Sequence, residues 1–328
     1  MSSIGKDIRK AAKILSEGGL VAIPTETVYG LAANAFNEEA ITNIFKVKNR
    51  PSFDPLITHI ASINDLKDLT SDIPLTAKKV VANFWPGPLT VILPKTAKIS
   101  DLITSGLDSA AFRVPNHPIT SKLLALVDFP LVAPSANPFT YVSPTTAQHV
   151  ADQLGDKVDY ILDGGPCSIG LESTIISFTK QTPKILRLGG LSTEEIEQVI
   201  GSIDIQTHSS STPEAPGMLT SHYSPGKPLL VGKLEDLLKE NIEKKVGIIS
   251  FKKSFSAYIN SVLAPSGNLC EAAQNLFKSL RWMANQPVDI ILTEFVPNHG
   301  LGRAINDRLT RASCLPASMA SKYKNYNI

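Results

Sequence analysis

The chain is poor in the residues that build disulfide frameworks and metal sites. Its 328 residues include three widely separated cysteines, Cys167, Cys270 and Cys314, and no Cys-x-x-Cys pair. The six histidines lack the spacing of a His-Glu-x-x-His zinc site. Few and scattered cysteines are typical of incidental thiols in a reducing compartment, so we expect neither disulfides nor a structural metal.

Long apolar runs and secretory signals are also missing. No hydrophobic stretch approaches the roughly 20 residues that span a bilayer. Residues 1–19 mix charged and apolar side chains as an amphipathic helix does, and they end at a Gly pair instead of carrying an apolar signal core. We therefore expect a cytoplasmic protein without a membrane partner.

Neither part of the chain carries the strong positive charge of a typical nucleic-acid binding protein. Residues 1–200 hold 18 Lys and Arg against 20 Asp and Glu, a net charge of −2. Neutralising nucleic-acid phosphates requires clustered Lys and Arg, so this composition disfavours RNA binding as the main role. A local basic patch stays open.

The glycine patterns of the common nucleotide-binding loops are absent too. The sequence has no Walker A motif and no Gly-x-Gly-x-x-Gly, and the pairs at 164–165 and 189–190 are isolated turn signals. A bound nucleotide would therefore be held mainly by side chains and turn amides.

Short apolar runs alternate with helical patterns over the first 200 residues. The runs are often β-branched and bounded by Pro or Gly, which predicts strands at 20–23, 56–60, 89–93, 110–114, 131–133, 160–162, 173–178 and 185–188. Helical patterns occupy residues 5–17, 38–47, 75–84, 117–127, 145–153 and 192–200. This mixture predicts an α/β domain.

A second, smaller domain is predicted after a break rich in Ser, Thr and Pro. The break covers residues 201–226 and is typical of a linker. Beyond it, the predicted strands are 229–231, 246–250, 262–264 and 288–293, and the predicted helices are 233–244, 268–285 and 301–313. Regular alternation of this kind favours a parallel sheet. The predicted domains are therefore 1–200 and 227–328, joined by 201–226.

Arginine is scarce in the first domain, and its positions are informative. Residues 1–200 contain four arginines, of which Arg50, Arg113 and Arg187 lie at strand ends or in the segment 46–51. Ligands usually bind at strand ends in open α/β sheets, and the guanidinium group suits bidentate contact with phosphate. The pattern favours a polyanionic ligand such as a triphosphate. Salt bridges between loops are the alternative.

Six segments, in order, resemble a known family. The segment Ile23-Pro24-Thr25-Glu26-Thr27-Val28-Tyr29-Gly30-Leu31 is similar to the signature of the YrdC-type threonylcarbamoyl-adenylate synthases. Similar matches follow at 48–51 with 55–56, at 85–90, at 133–137, at 165–175, and at 216–218 with 222–225. The last of these resembles the link of the long, two-domain form.

The resemblance implies both a fold and an activity. The fold is a twisted mixed-sheet YrdC-like catalytic domain followed by a smaller Rossmann-like parallel α/β domain. The activity is that of a nucleotidyltransferase that condenses L-threonine, bicarbonate and ATP to L-threonylcarbamoyladenylate and pyrophosphate, with Mg²⁺ bound with ATP. The product feeds N6-threonylcarbamoyladenosine formation at position 37 of tRNA through a separate transferase complex. Weak contact with tRNA itself stays open.

The resemblance also implies roles for individual residues. The implied ATP-binding residues are Lys48, Arg50, Ser52, Ser109, Ser135, Asn137, Ser143 and Arg187, and a separate hypothesis about the linker adds Tyr223. Lys48 and Arg50 would be the catalytic cations, since the reaction needs positioning and charge neutralisation more than a nucleophile. The implied threonine-binding residues are Thr25, His59, Arg113 and Ser173. Residues 201–226 would form a lid, with Tyr223 touching the nucleotide.

Alternatives stay open for several of these residues. Thr25 could simply cap a turn, and His59 could be an ordinary packed histidine in an apolar strand. Glu26 and Glu172 lie beside the predicted site and receive no role. At the level of function, the alternative is a double-stranded RNA-binding module of the same fold. A carbamoyl-transfer domain of the hydrogenase-maturation type is disfavoured because the chain lacks Cys-x-x-Cys.

The sequence departs from the family pattern at three places. Asn49 stands where Gly is usual, and Asp54 stands where Asn is common. Phe139-Thr140-Tyr141 replaces a small Ser-Gly. We expect these bulkier residues to reshape the phosphate loop near Ser143.

Overall fold

The structure is a computed structural model that describes residues 3–207, 214–218 and 222–314. Its chain divides into two compact units. Among the described residues, the first unit comprises 3–139, 144–168, 172–207 and 214–218, and the second comprises 140–143, 169–171 and 222–314. Two short segments from the first 200 residues thus belong to the second unit.

The first unit is built on one large sheet. Its strands are β1 (Ser3–Gly5), β2 (Val21–Ile23), β3 (Gly30–Asn34), β4 (Ile57–His59), β5 (Leu89–Pro94), β6 (Ser109–Arg113), β7 (Leu131–Val132), β8 (Tyr160–Leu162), β9 (Thr174–Ser177), β10 (Lys184–Arg187) and β11 (Asp204–Ile205). Its helices are α1 (Ile8–Ser16), α2 (Glu38–Lys48), α3 (Leu66–Leu69), α4 (Leu75–Phe84), α5 (Asp101–Thr104), α6 (Pro118–Leu124), α7 (Ala147–Leu154) and α8 (Thr193–Ile200).

Strand directions in this sheet are mixed, as predicted. The order is β1-β8-β2-β3-β7-β4-β6-β5-β9-β10-β11. Strands β4 and β6 are parallel, with His59 opposite Arg113, so their carboxyl ends lie at one edge. Strand β7 is antiparallel to β4, so its carboxyl end lies at the other edge, beside the start of β4. Ligand-binding loops therefore cannot all follow strands at a single edge.

Helices cover both faces of the sheet, which explains why its strands could be read from the sequence. In β2, Val21 and Ile23 pack with α1 and α6 on one face, and Ala22 joins the core on the other face with Ile41 and Ile44 of α2. Strands buried on both faces are apolar throughout and stand out as continuous runs.

Helix α2 ends where the predicted phosphate-binding residues begin. Asn37 caps its first turn by accepting a hydrogen bond from the Ala40 amide, 3.0 Å away. Its last turn contains Lys48, and its C-cap Asn49 is left-handed, with φ of 52°. Asn and Gly are the residues that tolerate this conformation, so Asn49 meets the same backbone requirement as the usual Gly.

The second unit contains a four-stranded sheet in which every pair is parallel. Its strands are β12 (Leu229–Val231), β13 (Val246–Ser250), β14 (Ile259–Val262) and β15 (Ile290–Thr293), in the order β12-β15-β13-β14. Its helices are α9 (Leu234–Glu240), α10 (Leu269–Ala284) and α11 (Leu301–Ser313). The predicted Rossmann-like parallel α/β arrangement is confirmed.

Some strand predictions were wrong or missing. The strand predicted at 262–264 lies at Ile259–Val262, because this half-buried strand at the sheet edge contains polar residues and forms no apolar run. Strands β1, β3 and β11 were not predicted, since β3 is rich in small residues and β11 is an exposed two-residue strand. Across the described ranges, no helix combines the length and apolarity needed to cross a membrane.

Candidate active site

Lys48 joins the end of α2 to the segment after β7. Its Nζ donates to the carbonyl oxygens of Ser135 and Asn137, and its own carbonyl accepts a 2.8 Å hydrogen bond from the Phe139 amide. The side chain is 1% exposed. Burial, followed by the charge of Arg50, holds the pKa of Lys48 well below its usual value. An anion beside Lys48 would relieve this penalty on its charged form.

Arg50 forms a buried ion pair with Asp54. Its Nη2 lies 2.9 Å from Oδ2 of Asp54 and 2.8 Å from the Pro55 carbonyl oxygen, to which it donates. Burial raises the pKa of Asp54, against the opposing charges of Arg50, Lys48 and Arg187. Asp54, which departs from the family pattern, is thus a buried carboxylate on which the charges of three basic residues act.

Arg187 closes β10 and is held by hydrogen bonds. It donates to the carbonyl oxygen and the hydroxyl of Ser173, both at 3.0 Å, and to the Pro216 carbonyl at 3.2 Å. The Ser173 hydroxyl also lies 2.7 Å from that of Thr90. Ser173 precedes β9, which is antiparallel to β10, so the start of one strand meets the end of the other.

Arg113 closes β6 and pairs with Glu26. Its Nη2 lies 2.8 Å from Oε1 of Glu26, and its Nε donates to the Gly87 carbonyl at 3.4 Å. Both side chains are buried. Within the described residues, that Nη2 and both Glu26 oxygens make no hydrogen bond. Buried polar atoms are normally satisfied, so this pair is poised to receive polar groups of a ligand.

His59 lies beside Arg113 in the parallel pair of β4 and β6. Burial lowers the pKa of His59 from 6.5 to about 3, and the charge of Arg113 adds to the decrease. Its Nδ1 lies 3.2 Å from the Ile57 carbonyl oxygen. His59 is therefore a neutral hydrogen-bonding group near pH 7 and a weak base.

Thr25 stabilises the turn between β2 and β3. Its hydroxyl donates to the Val28 carbonyl at 2.6 Å and accepts hydrogen bonds from the amides of Thr27 and Val28, each at 3.2 Å. The turn-capping interpretation is therefore confirmed for Thr25. Its binding of threonine stays a prediction.

The pKa of Cys167 is affected by the charges of Glu26 and Arg113. Burial, followed by the charge of Glu26, raises the pKa of the Cys167 thiol to about 12. Since the thiolate is the reactive form, the raised pKa favours the unreactive thiol at neutral pH. The sequence predicts an incidental thiol at this position. In the structure, the charges of Glu26 and Arg113 act on the pKa of Cys167.

The sequence predicts four further ATP-binding residues, Ser52, Ser109, Ser143 and Tyr223. Ser52 is exposed, and its carbonyl accepts a 2.8 Å hydrogen bond from the Ser105 hydroxyl. Ser109 is at the start of β6, whereas Arg113 is at its end. Ser143 and Tyr223 belong to the second unit. The proposed roles of these four residues in ATP binding stay predictions.

Tyr223 is tightly held within the second unit. Its ring stacks on Phe277 with 5.4 Å between ring centroids, and the Arg308 guanidinium carbon lies 5.1 Å from the centre of the same ring. The residue is left-handed, with φ of 65°. A bulky residue holds this unfavourable conformation only where its surroundings impose it.

Two charged clusters emerge from these contacts. In one, Arg50 contacts Asp54, and the charges of Lys48 and Arg187 also act on the pKa of that carboxyl, so three basic side chains accompany Asp54. The other pairs Arg113 with Glu26 beside neutral His59. The first suits a polyanion, and the second suits a ligand with both a negative and a positive group.

No cage for a metal ion accompanies these clusters. Among the residues that the structure describes, no group of three or more His, Cys, Asp or Glu side chains could hold one.

Comparisons with known proteins cover both units. A family model described as "Telomere recombination" matches residues 13–189, and one described as "Threonylcarbamoyl-AMP synthase, C-terminal domain" matches residues 191–314. The threonylcarbamoyl-AMP synthase of Pyrococcus abyssi is 46% identical over 321 residues, covering 93% of this chain and 94% of that protein. That of Bacillus subtilis is 39% identical over 327 residues, covering 95% and 94%.

A solved structure agrees over the same length. The crystal structure of P. abyssi Sua5 complexed with L-threonine superposes with a TM-score of 0.91 at 44% sequence identity. The match covers 95% of this chain and 97% of that one.

Proposed function

We infer that this chain, which belongs to the threonylcarbamoyl-AMP synthase family, is a nucleotidyltransferase that forms L-threonylcarbamoyl-AMP. We propose L-threonine, bicarbonate and ATP as its substrates and pyrophosphate as the second product. The observation that carries the proposal is the set of buried basic side chains, Lys48, Arg50 and Arg187, whose charges act on the buried carboxyl of Asp54.

The cation-rich cluster would hold the triphosphate. Lys48 is the last residue of α2 and Arg50 follows its C-cap, and Lys48 already donates hydrogen bonds to the backbone of Ser135 and Asn137. A buried positive site of this kind stabilises phosphate charge strongly, because little water competes for it. Arg187 would extend the same site from the end of β10.

The Arg113–Glu26 pair would hold threonine. A free amino acid presents a carboxylate and an amino group, and the pair offers a guanidinium and a carboxylate 2.8 Å apart. Arg113 would bind the substrate carboxylate, and Glu26 would attract the amino group. The crystal structure of P. abyssi Sua5, a protein of the same family, is a complex with L-threonine, which supports threonine as the substrate.

The chemistry needs positioning more than a protein nucleophile. The threonine nitrogen joins the carbon of bicarbonate, water leaves, and a carbamate forms. A carbamate oxygen then attacks the α-phosphorus of ATP, and the bond to pyrophosphate breaks. The protein cations would reduce repulsion between the two anions and stabilise the leaving pyrophosphate. His59, with its low pKa, would orient groups by hydrogen bonding.

We propose that Mg²⁺ arrives bound to ATP. When bound, it would neutralise phosphate charge. Glu26, Asp54 and Glu172 are the buried acidic side chains nearest in sequence to the predicted site residues. Asp54 and Glu26 are engaged with arginines.

The product dictates a downstream partner. A threonylcarbamoyl-adenylate is a reactive mixed anhydride, so we propose that a separate transferase complex passes its acyl group to tRNA, at adenosine 37. Direct contact of this chain with tRNA would be weak. We also propose a cytoplasmic location, with which the thiols of Cys167, Cys270 and Cys314 are consistent, since none of them forms a disulfide among the described residues.

Pyrophosphate release tests the function. Purified protein with ATP and Mg²⁺ should release pyrophosphate only when both L-threonine and bicarbonate are present. Release without threonine would reject the proposal. A salt-sensitive shift of double-stranded RNA without ATP consumption would favour the RNA-binding alternative, which the net charge of −2 over residues 1–200 disfavours.

A further inference from the structure

Helix α10 holds the backbone of residues 142 and 143. In its last turn, Arg281 donates from Nε to the Ser143 carbonyl at 3.2 Å and from Nη2 to the Val142 carbonyl. All three residues belong to the second unit. Hydrogen bonds from a charged donor to backbone carbonyls are stronger than neutral ones, so this contact fixes the local chain.

The same helix closely approaches a second segment. Gly170 has φ of +79°, and a Cβ at this position would lie 2.7 Å from the Ala273 carbonyl oxygen and 2.7 Å from the Gln274 Cα. A residue other than glycine would therefore meet both backbone strain and a steric clash. Segment 169–171 packs directly on the α10 backbone, which is why it belongs to the second unit.

Both segments adjoin predicted substrate-binding residues along the chain. Residues 140–143 follow the stretch 135–139, whose backbone Lys48 holds. Residues 169–171 precede Ser173, which Arg187 holds. Helix α10 thus contacts segments 140–143 and 169–171. The residues adjoining these segments along the chain are held by Lys48 and Arg187 of the first unit.

Segment 140–143 needs such support. Thr140 is left-handed with φ of 69°, an unfavourable conformation for a β-branched residue. Its carbonyl accepts a 3.0 Å hydrogen bond from the Ser224 amide, and Tyr141 pairs with Ser224 in an isolated β-bridge. Thr140 and Tyr141, two of the three residues that replace the usual small Ser-Gly, are therefore held by contacts within the second unit.

We propose that Arg281 is a positioning residue for ATP. It orders the carbonyls at 142–143 and, through the peptide bond between Phe139 and Thr140, the phosphate-binding stretch 135–139. The second unit would thereby affect ATP binding through the backbone of residues 135–143. This inference rests on the proposed function, because it assigns ATP to the Lys48 side of the site.

Arg281→Gln tests the proposal, with Lys278→Gln as its matched control. Lys278 is an exposed residue of the same helix, and its substitution removes the same charge without a contact to 142–143. Loss of two charge-assisted hydrogen bonds should raise the KM for ATP roughly tenfold or more. The KM for threonine should change less than about twofold, and Lys278→Gln should leave both constants unchanged.

Two comparisons separate this proposal from the function on which it rests. Arg281→Lys keeps a cationic donor and should recover part of the ATP affinity, an effect that loss of stability alone would not give. If the unmodified protein releases pyrophosphate in a threonine-dependent manner and Arg281→Gln keeps its KM for ATP, the positioning role is wrong and the function stands. If the unmodified protein shows no such release, the function fails first. Equal increases in both KM values would also overturn the proposal.

Discussion

Arg113 and Glu26 lie in ion-pair contact, 2.8 Å from Nη2 to Oε1, in a buried position where that nitrogen and both oxygens of Glu26 make no hydrogen bond among the described residues. The pair combines opposite charge with unused hydrogen-bonding capacity. This combination is the reason that we propose the pair as the site for the two charged ends of threonine.

Arg113→Ala should weaken threonine use much more than ATP use. The guanidinium is the group that we assign to the substrate carboxylate, and a lost charged hydrogen bond costs about 1.5–3 kcal/mol. The KM for threonine should rise roughly tenfold to a hundredfold, and the KM for ATP should rise no more than a few-fold. Steady-state pyrophosphate release measures both constants. A larger effect on ATP would reverse our division of the site.

The same pair should show strong coupling in stability. Removing one partner of a buried ion pair leaves the other charge uncompensated, at a cost of about 3–5 kcal/mol. Arg113→Met alone should lower the free energy of unfolding by that order, and adding Glu26→Gln should restore a large part of it. Urea denaturation of the two single variants and the double variant gives the coupling energy. Additive losses would contradict the interaction.

Asp54→Asn should tighten ATP binding and reduce stability. The substitution removes the carboxylate that faces Arg50, Lys48 and Arg187, so the phosphates would meet a more positive site. We expect the KM for ATP to fall about threefold and the melting temperature to decrease. Asp72→Asn, at an exposed position, is the control for loss of one negative charge. Weaker ATP binding in Asp54→Asn would argue against the anion site.

His59 should make the protein less stable as the pH falls below 6.5. The unfolded chain binds a proton there, whereas burial keeps the folded pKa of His59 at about 3, so the free energy of unfolding declines from pH 6.5 toward pH 3. Between pH 6.5 and 5 this contribution amounts to about 1.5 kcal/mol.

Denaturation of His59→Gln at both pH values tests this linkage. The variant should lose that share of the pH dependence, and His299→Gln, at an exposed position, should keep it. An identical pH dependence in His59→Gln and the unmodified protein would contradict the prediction.

Much of the fold was predictable because the main strands are buried on both faces. Apolar runs such as 89–93 and 160–162 stand out for this reason and match β5 and β8. Strand β3 did not stand out, since four of its five residues are Gly, Ala or Asn. Strand β3 is defined by its pairing with β2 and β7, which leaves no local pattern in the sequence.

The sequence pointed to the basic residues of the candidate site and gave no role to its acidic residues. Arginine is scarce in residues 1–200, and three of its four positions, Arg50, Arg113 and Arg187, lie at strand ends or in the segment 46–51, which made them candidates for anion binding. Asp54 and Glu26 gave no comparable signal, since acidic residues are common and their partners are revealed only by contact.

The division of the chain also lay beyond sequence patterns. Nothing in the local composition of residues 140–143 or 169–171 indicates that they pack with a domain that begins more than fifty residues later. Only the contacts of Arg281 and Gly170 with these neighbours reveal it.

The chain passes into the second unit and back twice before the linker begins. The two units are therefore poor modules for exchange between relatives. A chimera joined at residue 227 would combine α10 of one parent with loops shaped for the helix of the other. Segments 140–143 and 169–171 would have to be transferred with the C-terminal part, so successful recombination within this family should follow contacts and not the apparent domain boundary.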